Sequence, residues 1–353
     1  MRHLFVSREN FADGVAALAG SYRVYGPVQE RFHHVMGLLP PGVMPEMSVA
    51  NTRLSAKGVV YPPSEKMFRA CLDPAREDHH VYKEIEKDFS PRAVFGIRPC
   101  DARAYTLVAP NFDNAEYKDP WWTKGYGATT FVGHSCNDPR STCFCTSTGG
   151  GPCDTTGLDI LLTDHEDGFL TQVLTEKGEA LALAAGWTTE AGADAEAALS
   201  DARREAEGKI SSVINTDKIG KKTILALYDA PFWADAAFAC INCGTCTYLC
   251  PTCWCFDIQD ETHGTDCVRL RNWDSCMFPL FTLHGSGHNP RPEKTGRVRQ
   301  RFMHKLKYYG DRYGNGVHCT GCGRCVIHCP VNIDIRRIAS LMNEYEPDNA
   351  CSL

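Results

Sequence analysis

Two short stretches of this chain carry the same cysteine spacing. Cys240, Cys243, Cys246 and Cys250, followed by Pro251, spell C-x2-C-x2-C-x3-C-P. Cys319, Cys322, Cys325 and Cys329, followed by Pro330, repeat it. Three thiols at two-residue gaps let one tight loop wrap a face of a cubic 4Fe–4S cluster, with backbone amides aimed at sulfur. The fourth thiol, before proline, starts a segment that leads to a second cube. The expected pairing is therefore crossed. Cys240, Cys243, Cys246 and Cys329 serve one cluster, and Cys319, Cys322, Cys325 and Cys250 the other. Structural zinc also uses C-x2-C pairs, but zinc gives no reason for a third cysteine at the same gap.

The full chain of 353 residues holds 19 cysteines. In a small secreted protein that would mean disulfides. Here the length, and an N-terminus broken by charges ("MRHLFVSRENFADG"), predict a cytoplasmic-type protein whose clustered thiols are metal ligands. No stretch approaches the apolar length of a membrane-spanning helix. A formal net charge of −6 argues against a nucleic-acid partner. The length suits two or three domains. The expected layout is an N-terminal mixed α/β domain over 1–177, a helical linker over 178–230, and an α-helical dicluster ferredoxin domain over 231–353. The fold class is α+β. Cys71 and Cys351 stand alone and read as ordinary small residues.

The two motifs are separated by residues 251–318, far more than in a compact two-cluster ferredoxin. Val298, Phe302, Leu306 and Tyr309 recur there at helical spacing, which predicts a helical insertion. Its other faces hold Arg297, Arg299, Arg301, Lys305, Lys307 and Arg312, expected either to offset cluster charge or to present a basic docking face to a partner. Residues 333–346, "IDIRRIASLMNEYE", continue the second motif as an amphipathic helix. Three further thiols, Cys253, Cys255 and Cys276, are left over. They read either as ligands of an additional cluster, with Cys267 or His263 completing the set, or as thiols packed beside the first cluster.

Upstream, "AVFGIRPCDARAYTLV" and "TTFVGHSCNDPRSTCFC" each run from an apolar strand into a cysteine-bearing turn. "LDILLTDHEDGFLTQV" reads as a hairpin turning at Asp167-Gly168. Strand ends of an open α/β sheet are where sites form, so Cys100, Cys136, Cys143 and Cys145 are expected at one edge as a third metal site, with Cys153 a competitor for the fourth place. "STGGGP" (147–152) lacks the lysine and context of a phosphate loop and reads as a tight turn near sulfur. No dinucleotide fingerprint appears, so no flavin is expected to bind tightly to this chain alone. Residues 178–208, rich in Ala and Glu, read as one or two surface helices.

The strings "GIRPCDARA", "GHSCNDPRSTCFCTSTGGGP", "CINCGTCTYLCPTCWCFDI", "NWDSCMF" and "RPEKTGRVRQRFMHKL" resemble the iron–sulfur beta subunit of soluble sulfhydrogenases, and equally the corresponding iron–sulfur subunit of anaerobic sulfite reductase. The resemblance runs from about residue 55 to 340. It implies a soluble electron-transfer subunit of anaerobic metabolism with no catalytic residue of its own. Its expected partners are a flavin-containing, NAD(P)H-handling subunit on one side and a terminal redox subunit on the other (a hydrogenase, a sulfite reductase or a heterodisulfide-reductase-like module). It also implies a cluster on Cys100, Cys136, Cys143 and Cys145. The competing expectation is a self-contained iron–sulfur reductase of a small substrate.

Overall fold

The computed structural model describes residues 2–314 and 316–347; Cys351 lies outside them. Among the described residues there are eleven strands: β1 (Arg2–Ser7), β2 (Arg23–Glu30), β3 (His33–Leu38), β4 (Ser64–Cys71), β5 (Lys83–Glu84), β6 (Arg92–Ile97), β7 (Thr129–His134), β8 (Ile160–His165), β9 (Gly168–Val173), β10 (Phe256–His263) and β11 (Asp266–Trp273). Seven form one sheet in the order β1-β9-β8-β7-β6-β2-β3. Its centre, β2-β6-β7-β8, is parallel, and antiparallel strands close both flanks. The expected hairpin is β8–β9, turning through Glu166, whose φ is 48°, and Asp167.

Alternation sorts the central strands onto two apolar layers. Ala93, Phe95, Ile160 and Leu162 pack on one face with Phe11, Val15 and Leu18 of the helix Arg8–Leu18. Leu181, Ala182, Ala185 and Trp187, from the stretch expected to link domains, are built into the same layer. Val94, Phe131 and Leu161 face the other side, against Tyr105 and Val108 of the helix Pro99–Val108 and Trp122 of the helix Pro120–Gly127. Gly96 breaks the alternation. The β6–β7 register shifts between Phe95 and Ile97, and Gly96 has a φ of +67°, which a side chain would resist. The bulge re-aims the end of β6 just before Cys100.

A second core is helical. Trp233, Phe302, Met303, Leu306, Ile335, Ile338 and Met342 gather there, drawn from the helices Phe232–Phe238, Lys294–Met303 and Ile335–Glu344 and the π-helical turn His304–Tyr308. The insertion between the motifs is not wholly helical. It begins with the β10–β11 hairpin, which pairs antiparallel with β4 of the N-terminal half and makes a four-stranded sheet, β10-β11-β4-β5. That sheet is tied to its surroundings by buried Arg271, which donates at 3.0 Å to Glu65 and also pairs with Asp119. The halves are further stitched by Phe144, an N-terminal residue whose ring is buried in the helical core.

Candidate metal centres

The two motifs fold alike. Gly244 and Gly323, each with a φ of +73°, turn the chain into the one-turn helices Thr245–Tyr248 and Arg324–Ile327, which carry Cys246 and Cys325. A left-handed turn at that point favours glycine. Backbone amides meet sulfur as the spacing requires: Asn242 N donates to Cys240 Sγ at 3.4 Å, Gly321 N to Cys319 Sγ at 3.4 Å and Ile333 N to Cys329 Sγ at 3.1 Å.

Cys240, Cys243, Cys246 and Cys329 line one cavity of about 480 Å³, walled by Met277, Val298, Phe302 and Ile335. Cys243 is exposed. The crossed grouping is mirrored on the other side, where Cys319, Cys322 and Cys325 each feel the charge of Cys250. Burial pushes the Cys319 thiol up to about 12.

A third ring stands at the carboxyl ends of β6 and β7. Cys100, Cys136, Cys143 and Cys145 line a cavity of about 400 Å³ together with Arg98, Arg140 and Gly151. Cys153 is buried in the same apolar layer as Tyr105 and Phe131 and does not line it. The glycine run folds as a tight turn, with Gly149 and Gly150 against Arg103. Among the described residues no three His, Cys, Asp or Glu side chains converge on the position of a single metal ion; the thiols ring cavities instead.

The rings adjoin. Cys325 of the second ring also lines the first cavity, and Cys322 lines the third. The contact is close: Phe144 N donates to Gly321 O at 2.9 Å, and Cys143 Sγ lies 3.8 Å from Cys322 O. A side chain at Gly321 would lie 2.5 Å from the backbone of Phe144 and Cys145. Sequence reasoning did not anticipate the clamp across this seam. Arg324 Nη1 and Nη2 hold the two carboxylate oxygens of Asp101 at 2.5 and 2.6 Å, while Nε donates to Thr52 O at 2.8 Å. Each residue directly neighbours a ring cysteine in the sequence, but nothing in either string says that they meet.

The basic helix differs from the expected docking face. Arg297, Arg301, Lys305 and Lys307 are buried, and Arg299 packs 3.5 Å over the Tyr228 ring while donating to Tyr228 O at 3.2 Å. Four-residue spacing puts Arg297, Arg301 and Lys305 on one stripe. Arg301 Nη2 donates to Cys246 O at 3.1 Å and faces Cys246, Cys325, Cys253 and Cys250. Lys305 Nζ donates to Thr252 Oγ1 at 2.6 Å and faces Cys250, Cys253 and Cys319. Arg98, beside the third ring, donates only to carbonyls, among them His134 O and Met47 O at 3.2 Å. Cations facing thiols in this way fit an anionic, thiolate-bound guest better than an uncharged thiol set.

The leftover thiols Cys253, Cys255 and Cys276 sit together beside Cys250. Neither expected fourth ligand reaches them. Cys267 lies six residues up β11 from Trp273, roughly 20 Å along the strand, and contacts Tyr82. His263 is at the exposed tip of the hairpin.

Fold and sites together define an iron–sulfur protein of electron transfer. Residues 239–333 match the family described as a 4Fe-4S dicluster domain. Over 354 aligned residues, covering 98% of this chain and 99% of the other, the chain is 29% identical to sulfhydrogenase 2 subunit beta of Pyrococcus furiosus. The resemblance to sulfhydrogenase beta subunits read from the motifs thus extends along nearly the whole chain. No solved structure matches it. Among the described residues no helix is long and apolar enough to cross a membrane.

Proposed function

We propose that this chain is the electron-transferring iron–sulfur subunit of a multi-subunit oxidoreductase. It stands between a flavin-containing subunit that handles NAD(P)H and a terminal redox subunit. Cys240, Cys243, Cys246 and Cys329 hold one 4Fe–4S cluster, Cys319, Cys322, Cys325 and Cys250 a second, and Cys100, Cys136, Cys143 and Cys145 a third. When bound, such clusters supply one-electron carriage at potentials anywhere from roughly −700 to +450 mV, set by charge, hydrogen bonds and solvent.

The observation that carries this reading is the adjacency of the rings. The second ring contributes Cys325 to the wall of the first cavity and Cys322 to the wall of the third. The chain's own residues do the rest. The motif amides donate to sulfur, Arg98, Arg301, Lys305 and Arg324 offset charge, and Met277, Phe302 and Ile335 keep water from the first ring. Cys243 leaves that ring one open edge for a redox partner.

The test is iron and acid-labile sulfide on anaerobically purified full chain, followed by titration with reduced viologen. At least about twelve iron atoms per chain are expected if all three rings are filled, and about eight if only the two motif clusters are. Reduction should stop once the bound centres are filled. Sustained turnover of viologen with sulfite or polysulfide by the chain alone would instead establish the self-contained reductase.

A further inference from the structure

Cys253, Cys255 and Cys276 fall outside the three rings, yet the fold brings them together. The segment after the first motif and the turn after β11 are joined by Asp274 N donating to Cys255 O at 2.9 Å. Cys255 lies beside Cys276, and Cys253 neighbours both Cys276 and Cys250. All three are at least half-buried.

A cation from the other half of the molecule is aimed at this group. Lys57, on the short helix Lys57–Val60, is 7% exposed. Its Nζ donates to Cys253 O at 3.0 Å and lies 4.0 Å from the centre of the Trp273 ring. Its nearby acidic groups are Cys253, Cys250 and Cys255, with Lys305 adding a second positive charge. It forms no ion pair with a carboxylate among the described residues. An ammonium buried without an anion costs several kcal/mol. Cys250 is already committed to the second ring, where Lys305 and Arg301 face it. Neutral thiols at the other three positions would leave Lys57 uncompensated, and three bare thiolates in contact would repel one another. A shared guest that binds all three as thiolates removes both difficulties.

We propose that Cys253, Cys255 and Cys276 hold a fourth iron–sulfur cluster, with Lys57 as its buried counter-cation. The chain supplies three thiolates, so the guest is either a 3Fe–4S cluster or a 4Fe–4S cluster with one iron not held by a cysteine of this set. The proposal rests on the iron–sulfur reading of the three rings, and the experiment separates the two.

Iron, sulfide and electron paramagnetic resonance of anaerobically prepared full chain are compared for wild type, the triple variant C253S/C255S/C276S, and Lys57→Met, which leaves every thiol in place. The triple variant should lose about three or four iron atoms per chain and one resonance, with those of the rings retained. Lys57→Met should lower the midpoint potential of that same centre most, because removing a nearby positive charge disfavours the reduced form, and Lys57→Arg should restore it. If the triple variant does not fold, Cys276→Ser and Lys57→Met carry the test by the same two readouts. An iron-loaded wild type whose iron and spectra are unchanged in the cysteine variants, or in which Lys57→Met moves no potential, overturns the fourth site and leaves the rings standing. A wild type without iron overturns the ring reading as well.

Discussion

The seam between the second and third rings should depend on one buried charge pair, and Asp101→Asn is the perturbation that exposes it. Asp101 and Arg324 are each 3% exposed at the side chain, and the pair is bidentate at 2.5 and 2.6 Å. Asparagine keeps one acceptor but turns its NH2 toward the guanidinium and removes the carboxylate that Arg324 holds. Leaving one member of a buried pair unpaired typically costs about 3–5 kcal/mol. With a urea slope of roughly 3 kcal/mol per M, that moves the unfolding midpoint down by about 1 M or more.

The control is Asp78→Asn. Its partners Arg76, at 2.8 Å, and Lys83 are both 56% exposed, and solvent-screened surface pairs of this kind contribute little to stability. The assay is anaerobic urea unfolding of both variants, followed by near-ultraviolet dichroism and visible absorbance. Combining Asp101→Leu with Arg324→Met should recover most of the loss, since the cost lies in the orphaned charge. If Asp101→Asn shifts the midpoint no further than Asp78→Asn, the clamp does not hold the seam and the reasoning fails.

Gly321→Ala should strip iron from the third ring while the first ring keeps its own. A φ of +64° costs a side chain about 1–2 kcal/mol, and the new Cβ would meet the Phe144–Cys145 backbone at 2.5 Å. Gly42→Ala, with a φ of +80° and nothing within 4 Å, is the strain-only control. Cys153→Ser should leave the iron content unchanged, whereas Cys143→Ser should lower it by up to about four atoms; equal losses would return Cys153 to the ligand set. Arg301→Glu should reduce iron loading itself at any ionic strength, because the side chain is buried against the rings; a purely salt-dependent effect on electron transfer would revive the docking reading.

The chemistry was more legible in the sequence than the architecture. Thiol spacing is a local constraint, so Cys240 and Cys319 with their followers could be grouped from the string, and the strand-then-cysteine pattern placed Cys100 and Cys136 at one sheet edge. What stayed hidden depended on pairing at long range. The β10–β11 hairpin lies in the stretch expected to be a helical insertion, and β10 is exposed along nearly its whole length and shows no alternation; only its partner β4, some two hundred residues upstream, makes it part of a sheet. The basic helix was ambiguous for the same reason. A run of arginines looks like a solvated face until the thiols that it neutralises are placed next to it. Lys57 and Asp101 carried no sequence cue at all.

The pattern of buried charge says what kind of guest the interior was built around. Some buried cations have carboxylates of their own: Arg271 has Glu65 and Asp119, Arg324 has Asp101, and Lys307, on a different side of its helix from Lys305, has Asp311 at 2.9 Å, while Arg297 donates to the carbonyls of Arg291 and Pro292. Arg98, Lys57, Arg301 and Lys305 lie against the thiols instead, and none has a carboxylate within ion-pair distance among the described residues. Two explanations compete. Either the chain tolerates four uncompensated cations at several kcal/mol each, which exceeds the whole stability of an ordinary domain, or their counter-charge resides on the sulfur ligands. Thiols kept neutral by burial, as Cys319 and Cys145 are with values pushed up to about 12, supply no such charge. Thiolates do when they bind metal, because binding displaces the proton. On the proposed reading, folding of the helical core and loading of the rings would be one coupled process, since Cys240, Cys246, Cys319 and Cys325 pack within that core or directly against it. Chelating the iron should accordingly leave the seven-stranded sheet protected against hydrogen exchange while the helices Phe232–Phe238 and Ile335–Glu344 open. Uniform loss of protection in both halves, or in neither, would break the proposed coupling.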